Sequence, residues 1–401
     1  MNKTVLVLNA GSSSLKFSIF DAAENLTLMA KGQIEGIGVA PRFVAETVEG
    51  ENLIDIRWNI LEVKDHRDCL ARLNAWLDDY LDGAVPYAVG HRVAHGGDIF
   101  SKPVVVKADI ISKLDELTLL APLHQPHNLA GIRAVAAINP NTPQVACFDT
   151  AFHRGRNWVT DAYALPYEMY EEGIRRYGFH GTSYEYIARK LRDIAPNIAR
   201  KKVVVAHLGN GASMCAINDG KSVATTMGFT PIDGLPMGTR SGQLDPGVLL
   251  YLMERRNYDV KKLETLLYKN SGLKGISGVG NDLRALMASD EPRAKLAVDY
   301  FVHRVSRELG SLAASLQGLD ALVFTAGIGE HSAIVRERVC KAAGWLGVEL
   351  DQAANESHAQ VVSGAESKVR TMVVPTDEEL MIAIHTLETL DAQWNTFGIS
   401  A

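Results

Sequence analysis

The chain has 401 residues, of which 47% are hydrophobic and 22% are charged. This length is enough for two domains of ordinary size, each with its own hydrophobic core. The 41 basic and 47 acidic residues are mixed along the sequence and give a net charge of −6. The overall charge of the protein therefore does not favour binding to nucleic acid or to an anionic membrane. An anionic ligand must instead be held by a local site.

The cysteines and the apolar segments bear on the cellular setting. Four cysteines occur without a CxxC pair, at Cys69, Cys147, Cys215 and Cys340, which favours neither a disulfide framework nor a zinc site. The apolar run before Asn9 is too short for a secretory signal, and no stretch of about 18 apolar residues occurs. We therefore predict a soluble cytoplasmic protein without a membrane or nucleic-acid partner.

Residues 5–20, VLVLNAGSSSLKFSIF, predict two strands joined by a tight turn of small residues. The backbone N–H groups of residues 11–14 could close on an anion there. The hydroxyls of Ser12 and Ser14 would add donors, and Lys16 a point charge for phosphate. An ordinary hairpin turn is the alternative interpretation, since short motifs misfire often.

Residues 203–217, VVVAHLGNGASMCAI, repeat this plan of strand, small polar turn and strand. Asn9 and Asn210 lie half a chain length apart, at equivalent points of the two hairpins. An internal repeat of this kind predicts a duplicated domain. Each half is then expected to carry one phosphate or nucleotide loop.

Between the hairpins, residues 21–64 suggest further strands, and the apolar spacing over residues 66–81 predicts an amphipathic helix. Arg92 lies in an apolar strand, where a cation must be paired by a structural carboxylate or by an anionic ligand. Asp149 follows the buried strand over 144–148, at the end where α/β sheets bind ligands, although turn aspartates are common. A zinc site at the neighbouring histidines is disfavoured without a Cys partner.

In the second half, His180 precedes a helix that Thr182 or Ser183 could cap, and it either ends the loop or points into a cleft. Residues 228–247 hold eight Gly or Pro residues and Arg240. Loops of this length in compact domains are usually functional or disordered. A helix capped by Asp245, with Pro246 in its first turn, is predicted next.

Two later segments resemble nucleotide or metal sites. Residues 321–339 predict a buried strand, a glycine turn and a helix whose N-terminus can face a nucleotide. Near the end, Thr376 and Glu379 form a predicted capping box. Glu378 lies in the first helical turn, where the helix dipole alone favours an acid.

Ten segments together resemble the acetate and propionate kinase family, in order over residues 5–380: NAGSSSLK, HRVAHGG, APLH, FDTAFH, RRYGFHGTS, AHLGNGAS, MGTRSG, GNDLR, TAGIGE and PTDEE. The resemblance implies an α/β fold of two duplicated ribonuclease H-like domains, as in actin-like ATPases, with a nucleotide cleft between them. The expected domains are residues 1–150 and 151–385. The closing helix of the first is expected from about 385–401.

The same resemblance implies an acetate kinase, which reversibly transfers the γ-phosphoryl group of ATP to acetate and gives acetyl phosphate and ADP. It also implies Mg²⁺, with Mn²⁺ as a substitute, and a homodimer. The alternatives are a propionate kinase and a non-catalytic ATP-binding protein of the actin and chaperone superfamily. The presence of both Arg92 and Arg240 argues against the non-catalytic ATP-binding protein.

The residues that match the family's functional positions fall into four groups. The catalytic set is Arg92, Asp149, His180 and Arg240, and the acyl pocket would add Ala94, Leu123, Phe179 and Pro231 to Arg92. The nucleotide would contact Ser12, Ser14, Lys16, His207, Leu208, Gly209, Asn210, Gly211, Asp282, Leu283, Arg284, Gly327, Ile328, Gly329, Glu330 and His331. The metal would be held near Asn9 and Glu378.

Three positions depart from the family pattern. His331 and Asp377 stand where the family often has Asn, beside nucleotide and metal positions. Ala94 stands where acetate-preferring members usually have Val, and the smaller side chain predicts room for the extra methylene of propionate. One methylene is worth only about 1–3 kcal/mol, so this preference would be graded.

Overall fold

The computed structural model describes residues 3–23 and 25–397, with side chains up to residue 392. The chain divides into two compact units, which we call unit 1 (residues 1–151 and 377–401) and unit 2 (residues 152–376). Each unit has its own mixed sheet covered by helices. Residues 398–401, the end of the expected closing helix, lie outside the described residues.

The described residues of unit 1 form eight strands: β1 (Thr4–Ala10), β2 (Ser14–Asp21), β3 (Thr27–Glu35), β4 (Arg42–Thr47), β5 (Asn52–Arg57), β6 (Ala88–Val93), β7 (Val104–Val105) and β8 (Gln144–Phe148). Unit 2 contains five: β9 (Lys202–Leu208), β10 (Ala212–Asn218), β11 (Lys221–Thr225), β12 (Ala321–Thr325) and β13 (Arg370–Val373).

The α-helices of unit 1 are α1 (His66–Tyr80), α2 (Ala108–Glu116), α3 (Gln125–Ile138) and, at the end of the chain, α16 (Glu378–Phe397). Unit 2 holds α4 (Trp158–Asp161), α5 (Tyr167–Glu171), α6 (Gly181–Ile194), α7 (Pro196–Ala199), α8 (Pro246–Arg256), α9 (Val260–Lys269), α10 (Gly272–Ser277), α11 (Leu283–Met287), α12 (Pro292–Leu316), α13 (Ala326–His331), α14 (Ala333–Ala342) and α15 (Gln352–Glu356). Short 3₁₀ turns occupy Leu117–Leu120, Ala151–His153 and Gly344–Leu346.

The two sheets share one core topology. Their strand orders are β5-β4-β3-β2-β1-β6-β8-β7 and β11-β10-β9-β12-β13. β1 pairs antiparallel with β2 and parallel with β6, and β9 pairs in the same way with β10 and β12. The five strands β3-β2-β1-β6-β8 therefore match the whole second sheet, which confirms the predicted duplication of an α/β fold.

The central strand of unit 1 is buried on both faces. Val5 and Val7 pack with Ile382 of α16, whereas Leu6 and Leu8 face the core shared with α1 and α3. A strand covered on both faces reads as a continuous apolar run, as residues 5–8 do. This burial places the turn after β1 at a fixed edge of the sheet.

Unit 2 is layered in the same way. On one face of its sheet, Leu322 and Phe324 of β12 pack with Phe301 of α12. On the other face, Val323 packs with Tyr184 of α6. Helix α12 is the longest helix of this unit and ends at Leu316.

Helix starts were predicted with mixed success. The side chain of Asp245 accepts from the N–H of Gly247 at 2.8 Å, which confirms it as the cap of α8. The predicted cap of α6 is wrong, since α6 begins at Gly181 after His180 and no side-chain bond caps it. Ser183 bonds elsewhere through its hydroxyl.

The predicted capping box of α16 is also wrong. Leu380 donates its N–H to Oδ1 of Asp377 at 2.8 Å, so Asp377 caps this helix. The hydroxyl of Thr376 instead lies 2.8 Å from that of Ser183. Among the described residues, no helix is both long and apolar enough to cross a membrane.

Candidate functional site

A fixed arginine lies at the ends of two neighbouring strands of unit 1. β6 and β8 are parallel, and Arg92 near the end of β6 meets Asp149 just after β8. Arg92 donates from Nε to Oδ1 of Asp149 at 2.9 Å and from Nη2 to Oδ2 at 2.7 Å. Its Nη1 makes no hydrogen bond to any described residue. The side chain is 26% exposed, so this edge of the guanidinium can meet an anionic ligand.

Glu378, at the start of α16, adds a second carboxylate beside Arg92. Its Oε2 lies 3.9 Å from Nη2 of Arg92, which is too long for a hydrogen bond. The atom is buried and has no hydrogen-bond partner among the described residues. Burial raises the pKa of Glu378 to about 7, although the charge of Arg92 opposes this shift. Burial also disfavours the charge of Arg92, but Asp149 and Glu378 outweigh it and raise its pKa.

An unpartnered buried oxygen of this kind suits a hard cation. Carboxylate and amide oxygens are the protein ligands that Mg²⁺ takes, and most buried polar atoms have a partner. Asn9, the other predicted metal residue, lies in β1, against which α16 packs. The unpartnered oxygen of Glu378 therefore fits a divalent cation.

The turn between β1 and β2 offers mainly side chains. Ser12 and Lys16 are exposed, and Ser14 is half-buried. The N–H of Gly11 donates to the carbonyl of Ser14 at 2.8 Å. The expectation that all backbone N–H groups of residues 11–14 face an anion is therefore wrong for Gly11, which closes the turn itself.

Unit 2 contains a pocket of about 480 Å³ at the ends of its strands. Eight predicted nucleotide residues line it: Gly209, Asn210, Asp282, Leu283, Arg284, Gly327, Ile328 and His331. Three residues that were not predicted also line it, namely Asn281, Met287 and Ser332. Met287 follows Leu283 by one helical turn, so helix periodicity could have found it. Asn281 could have been found in the GNDLR motif.

The remaining predicted nucleotide residues of unit 2 do not line this pocket: His207, Leu208, Gly211, Gly329 and Glu330. Leu208 is fully buried in the core. Glu330 is a structural acceptor, since its Oε1 takes the N–H of Ala326 at 2.7 Å and that of Thr376 at 3.2 Å. Ala326 is left-handed, with a φ of 63°, so Glu330 stabilises a strained turn beside the pocket.

His180 belongs to a polar network within unit 2. Its Nδ1 lies 2.8 Å from the hydroxyl of Ser213, and its ring stacks on that of His207 with centroids 4.3 Å apart. Nδ1 of His207 lies 2.9 Å from the hydroxyl of Ser183. His180 itself is left-handed, with a φ of 56°. Non-glycine residues in this conformation cluster at functional sites.

The other predicted substrate residues divide between the units. In unit 2, Arg240 donates from Nη1 to the carbonyl of Pro231 at 3.0 Å, and Phe179 is buried in the core. In unit 1, Ala94 and Leu123 are half-buried. Pro231 therefore contacts Arg240 through its backbone, and Phe179 exposes little surface to a ligand.

Solved structures share this fold over almost the whole chain. One is the acetate kinase of Porphyromonas gingivalis, with a TM-score of 0.88, 38% identity, and coverage of 97% of this chain and 100% of the other. Another is a propionate kinase from Francisella tularensis, with a TM-score of 0.89, 39% identity, and coverage of 96% and 99%. Together with the duplicated sheet, these matches define an α/β protein of the actin-like ATPase class.

The sequence comparison is more specific. Residues 4–384 match the model of the Acetokinase family. The acetate kinase of Nitrobacter hamburgensis is 53% identical over 389 residues, which cover 96% of each chain. This chain belongs to the acetokinase family.

Proposed function

We propose that the chain is an acetate kinase, which reversibly transfers the γ-phosphoryl group of ATP to acetate and gives acetyl phosphate and ADP. The observation that carries this proposal is the guanidinium of Arg92, held in two hydrogen bonds by Asp149 with Nη1 left over. Family membership supports it, because the relatives compared above are named acetate or propionate kinases.

The proposed chemistry suits these residue types. The carboxyl group of the acceptor has a pKa of about 4, so it is already an ionised nucleophile at neutral pH. A general base is not needed. The transferring phosphoryl group instead needs alignment and neutralisation of its charge, which arginine and histidine side chains supply.

We assign the roles accordingly, for a direct in-line transfer. Arg92 orients the carboxylate, and Asp149 fixes Arg92. His180 and Arg240 stabilise the equatorial oxygens of the phosphoryl group. The hydrogen bonds that Arg240 donates to the carbonyl of Pro231 and that Arg92 donates to Asp149 support these roles, because a preorganised charge loses little energy to rearrangement.

The pocket of unit 2 would take the adenine nucleotide. Leu283, Met287 and Ile328 offer apolar surface for the base, and Arg284 offers a cation for phosphate. In unit 1, Ser12, Ser14 and Lys16 would contact phosphate oxygens through side chains.

Asn9 and Glu378 would hold Mg²⁺, or Mn²⁺ in its place. When bound, the ion would neutralise charge on the phosphate oxygens. The orphan oxygen of Glu378 supports this assignment.

The acceptor tests the proposal directly. Initial rates with MgATP would be measured for acetate, propionate and butyrate, with the acyl phosphate trapped by hydroxylamine. We expect acetate to react and Ala94 to admit propionate. Ala94→Val should then lower kcat/KM for propionate relative to acetate. If no acyl phosphate formed from any acid, the proposal of an acetate kinase would be wrong. A non-catalytic ATP-binding protein would then be the better interpretation.

We also propose a cytoplasmic homodimer. Helix α8 has no buried residue and exposes several large apolar side chains, with Leu250 67% and Tyr251 54% exposed. Large apolar side chains concentrated on one exposed helix commonly mark an interface. Sedimentation of the wild type and of Leu250→Glu would test it, since the charged variant should be monomeric.

A further inference from the structure

One buried amide joins the ends of two central strands of unit 1. Asn128 lies in the first turn of α3 and is 6% exposed. Its Oδ1 accepts the N–H of Ala94 at 3.0 Å, just after β6. Its Nδ2 donates to the carbonyl of Ala10 at 2.8 Å, at the end of β1. Both hydrogen-bonding ends of this amide are therefore bound to backbone.

The two backbone points flank residues with proposed roles. Ala10 lies between Asn9, a proposed metal ligand, and Gly11, which begins the turn between β1 and β2 that is proposed to contact phosphate. Ala94 belongs to the proposed acyl pocket and follows Arg92 by two residues. We propose that Asn128 is a positioning residue, which fixes the distance between the carboxylate-binding and phosphate-binding segments of unit 1. This inference rests on the proposed function.

Side chains from two helices hold the turn after β1 in place. His66 donates from Nε2 to the next carbonyl, that of Gly11, at 2.6 Å. A Cβ built on Gly131, one turn after Asn128, would lie 3.3 Å from Cβ of Ala10, so α3 packs closely on β1. Two consecutive carbonyls are thus held by helices α3 and α1, and the position of the turn depends on those side chains.

The amide can be replaced by a group whose hydrogen-bonding pattern depends on pH. In Asn128→Asp, an ionised carboxylate still accepts the N–H of Ala94 but cannot donate to the carbonyl of Ala10. A protonated carboxyl has one donor and one acceptor and restores both bonds. Burial and the facing carbonyl raise the pKa of such a group, so the neutral form becomes accessible in mildly acidic buffer.

A matched control lies at the C-terminal end of the same helix. Asn139 directly follows the last residue of α3 and donates from Nδ2 to Oδ1 of Asn74 at 2.9 Å. It is 11 residues beyond Asn128, which corresponds to roughly 16 Å along a helix. Asn139→Asp therefore makes the same chemical change away from the site. Asn128→Ser is the second variant, because its short hydroxyl cannot bridge both partners and does not titrate in this range.

The experiment measures kcat and both KM values of the full chain from pH 8 to pH 5.5, with urea unfolding for each variant. At pH 8, we expect Asn128→Asp to lose roughly tenfold in kcat/KM for acetate and for MgATP. Its activity relative to the wild type should recover by about fivefold or more toward pH 5.5. That estimate assumes a tenfold loss that is mostly reversed by protonation. Neither Asn128→Ser nor Asn139→Asp should show this recovery.

His66 and His127 face this region, with ring centroids 5.2 Å apart. Both histidines are present in all variants, so the ratio to the wild type removes their contribution. If Asn128→Asp had the kinetic constants of Asn139→Asp at every pH, or if Asn128→Ser lost stability alone, the positioning role would be wrong. If Asn128→Asp did not fold, Asn128→Ser would decide through its KM values. A wild type without acyl phosphate formation would instead overturn the proposed function and this inference with it.

Discussion

The turns after β1 and β9 occupy equivalent places in the two sheets but present different chemistry. The first turn offers hydroxyls and Lys16, and its carbonyls are held by helices α1 and α3. The second turn offers glycine backbone, and Cβ atoms on Gly209 and Gly211 would lie 3.2 Å from the carbonyl of Gly211 and 3.3 Å from Nε2 of His180. One duplicated fold therefore supports side-chain contacts in unit 1 and close backbone approach in unit 2.

The largest expected effects come from the two arginines, one in each unit. Arg92→Ala and Arg240→Ala should each lower kcat on the order of 10²-fold or more, by analogy with other electrostatic stabilisers of a transition state. Arg92→Lys should not recover this loss, because an ammonium group cannot make the two parallel bonds to Asp149. Steady-state kinetics in both directions would measure these effects.

Urea unfolding should separate the loss of activity from a loss of structure. Arg92 and Asp149 support one another, so Asp149→Asn is a useful companion variant that weakens the hold on Arg92. Near-full kcat in Arg240→Ala would show that the phosphoryl group is stabilised without the arginine of unit 2. The prediction that both arginines contribute to catalysis would then be wrong.

A smaller effect is expected when the glycine turn of the nucleotide pocket is filled. A Cβ on Gly327 meets no atom within 4 Å, so Gly327→Ala should fold as well as the wild type. Because Gly327 lines the pocket, the added methyl should crowd the nucleotide and raise the KM for ATP by roughly tenfold, equal to about 1.4 kcal/mol. The KM for acetate should change little.

Gly344→Ala is the control for this prediction. A Cβ on Gly344 also meets no atom within 4 Å, but this residue does not line the pocket. Its kinetic constants should therefore equal those of the wild type. An unchanged KM for ATP in Gly327→Ala would place the nucleotide elsewhere in unit 2.

The sequence predicted features that follow from local pattern. Two apolar runs around small polar turns predicted the duplicated sheets, and the family resemblance placed Arg92 and Asp149 in one catalytic set. The pocket of unit 2 also gathers residues from three separate motifs. Each motif is local, and the parallel strands bring their ends to one edge of a sheet.

Other features depend on contacts that no local pattern contains. Asn128 acts on residues more than thirty positions earlier, at Ala94 and Ala10. Ser183 had the residue type of a helix cap, but partners from distant segments engage its hydroxyl. Glu330 lies within a nucleotide motif, yet its carboxylate holds backbone N–H groups. Side-chain bonds over long sequence separations decide such roles, and periodicity does not predict them.

A last prediction compares the stability of the units through one buried histidine in each. Burial lowers the pKa of His91 in unit 1 to about 4 and that of His153 in unit 2 to about 3, from an ordinary value of 6.5. Below pH 6.5 the unfolded chain therefore binds protons that the native protein does not. Above pH 6.5 the two histidines should cause no loss of stability. As the pH drops toward 4, the free energy of unfolding should fall by up to about 1.4 kcal/mol per pH unit for each histidine.

Urea unfolding of His91→Gln and His153→Gln between pH 6.5 and 4.5 would measure this slope. Each variant loses a buried hydrogen bond, to Gln144 or to Ser222, so its stability should be lower at every pH. The slope should nevertheless be less steep than in the wild type, because one proton-binding group is gone. His303→Gln, at an exposed position, should leave it unchanged. An unaltered slope in His153→Gln, with a reduced one in His91→Gln, would mean that acid acts on unit 1 alone.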